Sequence, residues 1–467
     1  MLSSSSSPPS DHHHFYSSPT MTKTLNRNKP FSSSSSLVSN LIRFLGGATV
    51  AFLVVWTLFS TIDTSKPNFT PRFSNADSKS SVDDDSLDFD LGVHGINLKE
   101  EPESENFYDD PNLSYSMEKP IKNWDQKRKD WLNQHPSFAS GVNERILLVT
   151  GSQMKPCKHP SGDSMLLRFF KNKVDYCRIH GYDIFYNNAL FQPKMTGCWA
   201  KLPLVRAAMI AHPETEWIWW VDSDAAFTDM EFKIPLERYT NKNFILHGWN
   251  KEVFEVHSWV GLNAGIFLIR NCQWSLDFMD AWSNMGPLSP DYDKWGKILK
   301  SSLRDKVYDD ADDQSSLVYL MLKEKSKWAD KIYLEQKYYF EGYFLEVLSR
   351  FDNITKEYLE VEQAVSKLRR RHSEKVTEHY ADLREPYITK LGNGYQSLRK
   401  PFITHFAGCQ PCSGLHNASY SDDGCWKGME KALNFADNQV LRNFGLIRRN
   451  LMDPSSLTSM EFDEASG

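Results

Sequence analysis

Two aspartates one residue apart, Asp222 and Asp224, follow directly on the apolar run Trp217-Ile218-Trp219-Trp220-Val221. Carboxylates at this spacing offer oxygen ligands to a hard divalent cation, which in turn can hold a diphosphate. The aromatic run reads as a buried strand. The switch to Asp222-Ser223-Asp224 puts the acids at its carboxyl end, where ligands bind in open α/β sheets. Asp-x-Asp is also a common turn at strand ends, so the pair by itself has two readings, cation site or turn. A second polar cluster, Asp309-Asp-Ala-Asp312-Asp313-Gln314, precedes a helical pattern with Leu317, Leu320 and Met321. Acids there cap a helix and complement its dipole. Five polar residues exceed what a cap needs, so cap and site stand level. His405 lies inside the short apolar strand Phe402–Phe406 and, taken alone, reads as a core histidine.

The elements that must position these groups follow from periodicity. Residues 124–135 suggest a short amphipathic helix. Arg145–Thr150 is a compact apolar strand that ends in Gly151-Ser152, the way a nucleotide-binding α/β domain usually starts. Residues 163–180 carry apolar positions at helical spacing, Tyr182–Tyr186 is a second strand, and Trp199–His212 is a helix stopped by Pro213. With the Trp217–Val221 strand this makes a β-α-β-α-β succession, which predicts a parallel sheet with right-handed crossovers. Asn243–His247 and Ile266–Ile269 read as further strands, and the glycine-flanked Asn263 sits where backbone can approach a ligand closely. Helices are expected over 273–285, over 352–385 as one long charged helix containing Arg369-Arg-Arg371, and over 426–441.

The chain has 467 residues and a net charge of -6, without a long basic tract, which argues against nucleic acid as a partner. Basic residues precede an uncharged stretch, Phe44–Ile62, long enough to cross a bilayer as a helix. The positive-inside rule then makes residues 1–43 a cytoplasmic, disordered tail and 44–62 a type II signal anchor, with the rest luminal. Between Asp77 and Asp110 there are 12 acidic residues and two lysines, so 63–115 reads as a solvated stem. Four sequons, at Asn68, Asn112, Asn353 and Asn417, face the lumen in this topology. The folded domain spans 116–450, and 451–467 reads as a disordered tail. Seven cysteines include Cys409-Gln-Pro-Cys412, but no second such pair supports a zinc reading.

Taken together the motifs resemble the plant galactomannan galactosyltransferase and xyloglucan xylosyltransferase family. The matching residues are Trp199-Ala-Lys201, Trp219-Trp-Val-Asp-Ser-Asp224, Phe227-Thr-Asp-Met230, His247-Gly-Trp249, Gly261-Leu-Asn263, Asp312-Asp-Gln314 and Thr404-His-Phe406. The resemblance covers roughly residues 105 to 450. Tyr186-Asn-Asn-Ala-Leu190, His257-Ser-Trp259, Leu262-Asn-Ala-Gly265 and Asn434-Phe-Ala-Asp-Asn438 look more like the galactosyltransferase branch. The xylosyltransferases typically carry a basic residue in the Gly-Cys-x-Pro-Cys loop, where this chain has Gln410.

The resemblance implies a GT-A glycosyltransferase fold, with a Rossmann-like, mostly parallel sheet flanked by helices. It implies a Mn2+-dependent UDP-sugar donor, here UDP-galactose, and transfer with retention at the anomeric carbon. The acceptor it implies is a β-1,4-linked polysaccharide of the mannan type, and the setting is the Golgi membrane. Carried over by position, Asp222, Asp224 and His405 would hold Mn2+. Gly151, Ser152, Lys201, Ser223, His247, Trp249, Asn263 and Gly408 would surround the donor, with Lys201 the cation near the diphosphate. Asp312, Asp313 and Gln314 would line the sugar. Retention has two routes, a covalent glycosyl-enzyme or front-face attack through an ion pair, and front-face attack is preferred if Gln314 faces C1. Trp249, Trp259 and Phe254 have two readings, acceptor platform or core. An α-1,6-xylosyltransferase acting on a glucan, or a non-catalytic scaffold within a Golgi polysaccharide synthase complex, are the alternative functions.

Overall fold

The computed structural model describes residues 107–111, 113–368, 377–391 and 398–460. The expected anchor at 44–62, most of the stem, and the sequons at Asn68 and Asn112 lie outside the described residues. Helix α1 (Trp124–Gln134) leads into strand β1 (Ile146–Gly151), helix α2 (Gly162–His180), strand β2 (Asp183–Asn187), helix α3 (Lys201–Ala211) and strand β3 (Trp217–Val221). Strand β2 pairs with β1 and β1 with β3, both in parallel, as the alternating pattern predicts. Then come β4 (Ala225–Phe227), β5 (Phe244–Gly248), β6 (Leu262–Arg270), α4 (Gln273–Ser283), α5 (Tyr292–Ser302), α6 (Asp313–Lys323) and β7 (Ile332–Glu335).

These build a six-stranded sheet in the order β2-β1-β3-β6-β5-β7. Five strands run one way and β6 runs against them, antiparallel to both β3 and β5. The sheet is therefore mixed, and the mostly parallel expectation holds for every strand but β6. The reversal brings the start of β6, from Leu262 to Gly265, to the same edge as the carboxyl ends of β1, β3 and β5.

Strand β3 is buried along its whole length, and the two sides of the pleat go to different cores. Ile218 and Trp220 pack with α3, α4 and α6 through residues such as Leu202, Val205, Leu276 and Leu317. Trp217, Trp219 and Val221 pack on the other face with Tyr176, Phe227 and Phe402. A strand covered on both faces needs no polar alternation, which is why it reads as a continuous apolar run. Complete burial of Ile218 and Val221 contributes about 1.5–3 kcal/mol each, before the entropy of ordering the chain is subtracted.

A second, three-stranded sheet carries the remote part of the site. It contains β4, β8 (Gly342–Tyr343) and β9 (Ile403–His405) in the order β4-β9-β8. The expected long helix over 352–385 is instead two helices, α7 (Phe351–Ala364) and α8 (Thr377–Leu391). Val365 is extended and ends the first helix. Arg369-Arg-Arg371 lies outside the described residues. Helix α9 (Asp422–Leu441) packs through Met429 and Leu433 into a third apolar cluster with Phe351 and Phe406. Past residue 450, where the sequence reading places a disordered tail, β11 (Leu457–Ser459) pairs antiparallel with β10 (Leu446–Arg448). Cys409 and Cys412 enter two different disulfides, with Cys425 and Cys157 respectively, so they form neither a redox pair nor a zinc knuckle.

Candidate active site

Strand β3 delivers Asp222 to the sheet edge, and a tight turn from Asp222 to Ala225 starts β4. That turn is closed by Ala225 N–H donating to Asp222 O at 3.2 Å. Because β4 pairs with β9 in the register Ala225 opposite His405, the imidazole arrives beside the two acids. His405 Nε2 lies 3.4 Å from Asp224 Oδ1 and 3.9 Å from Asp222 Oδ2. One ligand atom from each of the three residues falls within 4.8 Å of the others. A strand pairing between residues 180 apart in the chain, Ala225 and His405 (405 − 225), thus turns a core-like histidine into part of an acid cluster.

Each member is oriented by neighbours. Trp220 Nε1 donates to Asp222 Oδ1 at 2.6 Å. His405 Nδ1 faces Glu341 Oε1 at 3.2 Å, which leaves Nε2 pointing at the acids. A carboxylate behind an imidazole is the usual support of a ligating histidine. Burial alone would draw the His405 pKa down, but Asp224 and Glu341 outweigh it and hold it at about 10. A divalent cation competing for Nε2 must displace that proton. Gly265 in β6 completes the cradle. A Cβ there would stand 2.6 Å from both Asp222 Oδ2 and His405 Cε1, so only glycine lets the strand come this close. Two carboxylates and one imidazole converging in this way form a ligand set that could hold a divalent metal ion.

Lys201, the expected cation near the diphosphate, stands beside the first acid of the pair. Its side chain is buried, and Nζ contacts Asp313 Oδ2 at 2.7 Å, Ala264 O at 2.9 Å and Asp222 Oδ1 at 3.5 Å. Burial would lower its pKa, but Asp222 and Asp313 outweigh that and keep it charged. It therefore ties the first acid of the turn to the start of α6. Burial pushes the Asp313 carboxyl up and Lys201 pulls it back. Asp312 does what a cap does: Oδ1 accepts from Ser315 N–H at 2.7 Å, and Oδ2 pairs with Lys306. Gln314 accepts from Ala264 N–H at 3.2 Å and donates to Trp259 O at 3.1 Å. In the Asp312-Asp313-Gln314 trio, then, the cap is one residue, Asp313 is tied to Lys201, and Gln314 is bound to the start of β6.

Other expected donor residues share the edge but are engaged locally. Ser152 Oγ meets Tyr186 OH at 2.6 Å, and Gly151 lies opposite Asn187, so this turn closes β1 onto β2. His247 is buried with Nδ1 against Glu335 O at 2.9 Å, and its ring meets that of the half-exposed Trp249 edge-on. Asn263 Oδ1 accepts from Gly265 N–H at 2.8 Å, holding the cradle strand. Ser223 contributes its carbonyl to Lys173, and Gly408 accepts from Asn417 N–H in the loop after β9. Phe254 packs on the core under Lys325, while Trp259 hydrogen-bonds Asp312 and meets the exposed Tyr308 ring edge-on. Asn353 on α7 and Asn417 are both exposed.

Sequence reasoning missed three residues. Glu341 is a lone acid with no pattern around it. Gly265 stands in the sequence as a flank of Asn263 and the end of the Leu262–Gly265 motif, with no sign of its closeness to the acids. Lys173 had a visible signal: it falls on the buried stripe Leu166, Phe169, Lys173, Cys177 of α2, where a charge is out of place. Its Nζ donates to Ala225 O at 2.7 Å. Burial lowers its pKa to about 7, against the opposing pull of Asp224 and Asp222.

The profile described as the galactosyl transferase GMA12/MNN10 family matches residues 142–416. The chain belongs to this family. Over 93% of its length it is 54% identical to galactomannan galactosyltransferase 1 of Cyamopsis tetragonoloba, covering 98% of that protein. Glycosyltransferase 6 of Arabidopsis thaliana is 52% identical over 91% of this chain and 95% of its own. A probable xyloglucan 6-xylosyltransferase 3 of Arabidopsis thaliana is 45% identical over 74% of this chain and 68% of its own. As a member of the family the chain is a glycosyltransferase, moving a sugar from a nucleotide-sugar donor to a polysaccharide acceptor. The mixed sheet flanked by helices fits the GT-A arrangement expected of it.

Proposed function

We propose that this glycosyltransferase moves galactose from UDP-galactose, in α-1,6 linkage and with retention, onto the backbone of a mannan-type polysaccharide. The observation that carries the reading is the convergence of Asp222, Asp224 and His405 at the carboxyl edge of the sheet. The 54% identity to a galactomannan galactosyltransferase and Gln410 in the disulfide loop support galactose over xylose. Asp222, Asp224 and His405 would hold Mn2+, which when bound stabilises the charge growing on the departing diphosphate. Trp220 and Glu341 keep the ligand atoms aimed, and Lys201 offsets the repulsion between Asp222 and Asp313.

Neither acid at the start of α6 is free to attack a sugar carbon. Asp312 is consumed by its cap and by Lys306, and Asp313 by Lys201. Gln314 is no nucleophile. Attack by the acceptor hydroxyl on the face the diphosphate leaves therefore fits these residues better than a covalent glycosyl-enzyme. Trapping of a glycosyl adduct on Asp312 or Asp313 would refute that route. Two disulfides suit an oxidising compartment, which supports a type II Golgi membrane protein with its catalytic domain luminal, working beside polysaccharide synthases.

The test is a donor-acceptor matrix. UDP-galactose and UDP-xylose are each offered with mannan and glucan oligosaccharides, with and without Mn2+. Galactose transfer to mannan, dependent on Mn2+, is the expected result. Preferential xylose transfer to glucan would move the protein to the branch of its xylosyltransferase relative.

A further inference from the structure

The turn that carries Asp222 and Asp224 is anchored on three sides. From β6, Gly265 O accepts Asp222 N–H at 2.9 Å. From the end of β9, Phe406 N–H donates to Asp224 O at 3.2 Å. Both are backbone contacts. The third anchor is a side chain from α2: Lys173 Nζ reaches Ala225 O at 2.7 Å and Ser223 O at 3.4 Å. The lysine is 1% exposed, so no water replaces those contacts. Its Nζ also lies 5.4 Å from the centre of the Phe169 ring, which meets Phe406 edge-on. One residue earlier, Asn172 grips the far end of β4. Its Nδ2 donates to Phe227 O at 2.9 Å and its Oδ1 accepts Phe227 N–H at 2.7 Å. Helix α2 thus holds β4 at two points, and only the Lys173 point touches the turn between the acids.

We propose that Lys173 is a positioning residue for the cation site: by donating to the carbonyls of Ser223 and Ala225 it fixes the pitch of the turn and so the separation of the Asp222 and Asp224 carboxylates. The inference rests on the Mn2+ reading of the proposed function. A buried side chain spent on two carbonyls is costly to keep unless their placement matters. Strand pairing already fixes the backbone on either side of the turn, so what the lysine adds is control of Ser223 and Ala225 themselves. The ammonium and the neutral amine both donate hydrogen bonds, so the role does not depend on its protonation state.

The test compares wild type, Lys173→Met and Asn172→Ala, using the purified full-length chain. Mn2+ binding is read by calorimetric titration, folding by thermal melting followed by circular dichroism, and transfer as a function of Mn2+ concentration. Lys173→Met is expected to weaken Mn2+ binding by about tenfold or more, the usual effect of losing outer support for ligands. Its turnover at saturating Mn2+ should be largely retained. Asn172→Ala is expected to lower the melting temperature while leaving Mn2+ binding unchanged. Unchanged binding in folded Lys173→Met overturns the inference and leaves the metal reading standing, as does an equal loss of binding in Asn172→Ala. A wild type that binds no Mn2+ overturns both. Should Lys173→Met not fold, Lys173→Leu, which also lacks a donor, takes its place under the same criteria, and failure of both to fold assigns the lysine to stability and overturns the proposal.

Discussion

Glu341 Oε1 lies 3.2 Å from His405 Nδ1, and both side chains are buried. The contact fixes which imidazole nitrogen faces the acids, so removing it should act through cation binding. Glu341→Ala is expected to weaken Mn2+ binding about 10- to 100-fold, with a smaller loss in Glu341→Gln. Asp224→Ala, which removes a ligand outright, should abolish Mn2+-dependent transfer. Titrating transfer activity against Mn2+ for the three variants checks the order. Wild-type Mn2+ dependence in Glu341→Ala would show that the contact is packing alone.

Gly265→Ala tests the cradle. The new methyl group meets Asp222 Oδ2 and His405 Cε1 at 2.6 Å, and Asn263 Oδ1 at 3.1 Å. Relief requires moving ligand side chains, since the strand itself is locked between β3 and β5. Crowding of this kind costs about 1–3 kcal/mol of stability. Activity should fall much further than stability does, because the atoms displaced are the ones that converge. Urea denaturation and the transfer assay on the same preparation separate the two effects.

Much of this was legible because periodicity and chemistry agreed. The Trp217–Val221 strand and the helix over 163–180 announce themselves by apolar spacing, and the acid pair by its place at a strand end. The reversed strand β6 was not legible, since Ile266–Ile269 carries no mark of direction. Its reversal is what brings Gly265 to the acids. His405 gained its role through a pairing with Ala225, which a local pattern cannot announce. Resemblance to a family supplied it instead. The partners of Lys201 were hidden for a related reason: a lysine in the first turn of a helix is ordinarily solvated, and only the fold shows Asp313 and Asp222 beside it. The helix over 352–385 misled because its charge pattern continues past the extended break at Val365.

The Lys201–Asp313 pair should be costly to break from one side. Both side chains are buried, so Lys201→Met strands a carboxylate without its counter-ion and is expected to cost about 3–5 kcal/mol. Adding Asp313→Asn removes the stranded charge and should return a good part of that loss, though not activity. A denaturation series on the two single variants and the double variant measures the coupling directly. Independent, additive losses would mean that the pair is not energetically linked.

Asp280 on α4 gives the fold a pH dependence opposite in sign to that of most carboxylates. Burial pushes its pKa from 3.8 to about 6, even though Arg206 pulls the other way. In the unfolded chain the group titrates near its ordinary value, so between these two pH values the native state holds a proton that the unfolded state has lost. Stability from this group is therefore fully present below about pH 4 and is lost as pH rises through about 6. Asp280→Asn keeps the shape, cannot ionise and escapes that loss. The variant should exceed wild type in stability at pH 7.5, with the difference shrinking as the pH is lowered toward 4.5. Urea midpoints at the two pH values check it, and a difference that stays constant between them would show that the carboxyl titrates alike in the folded and unfolded chains.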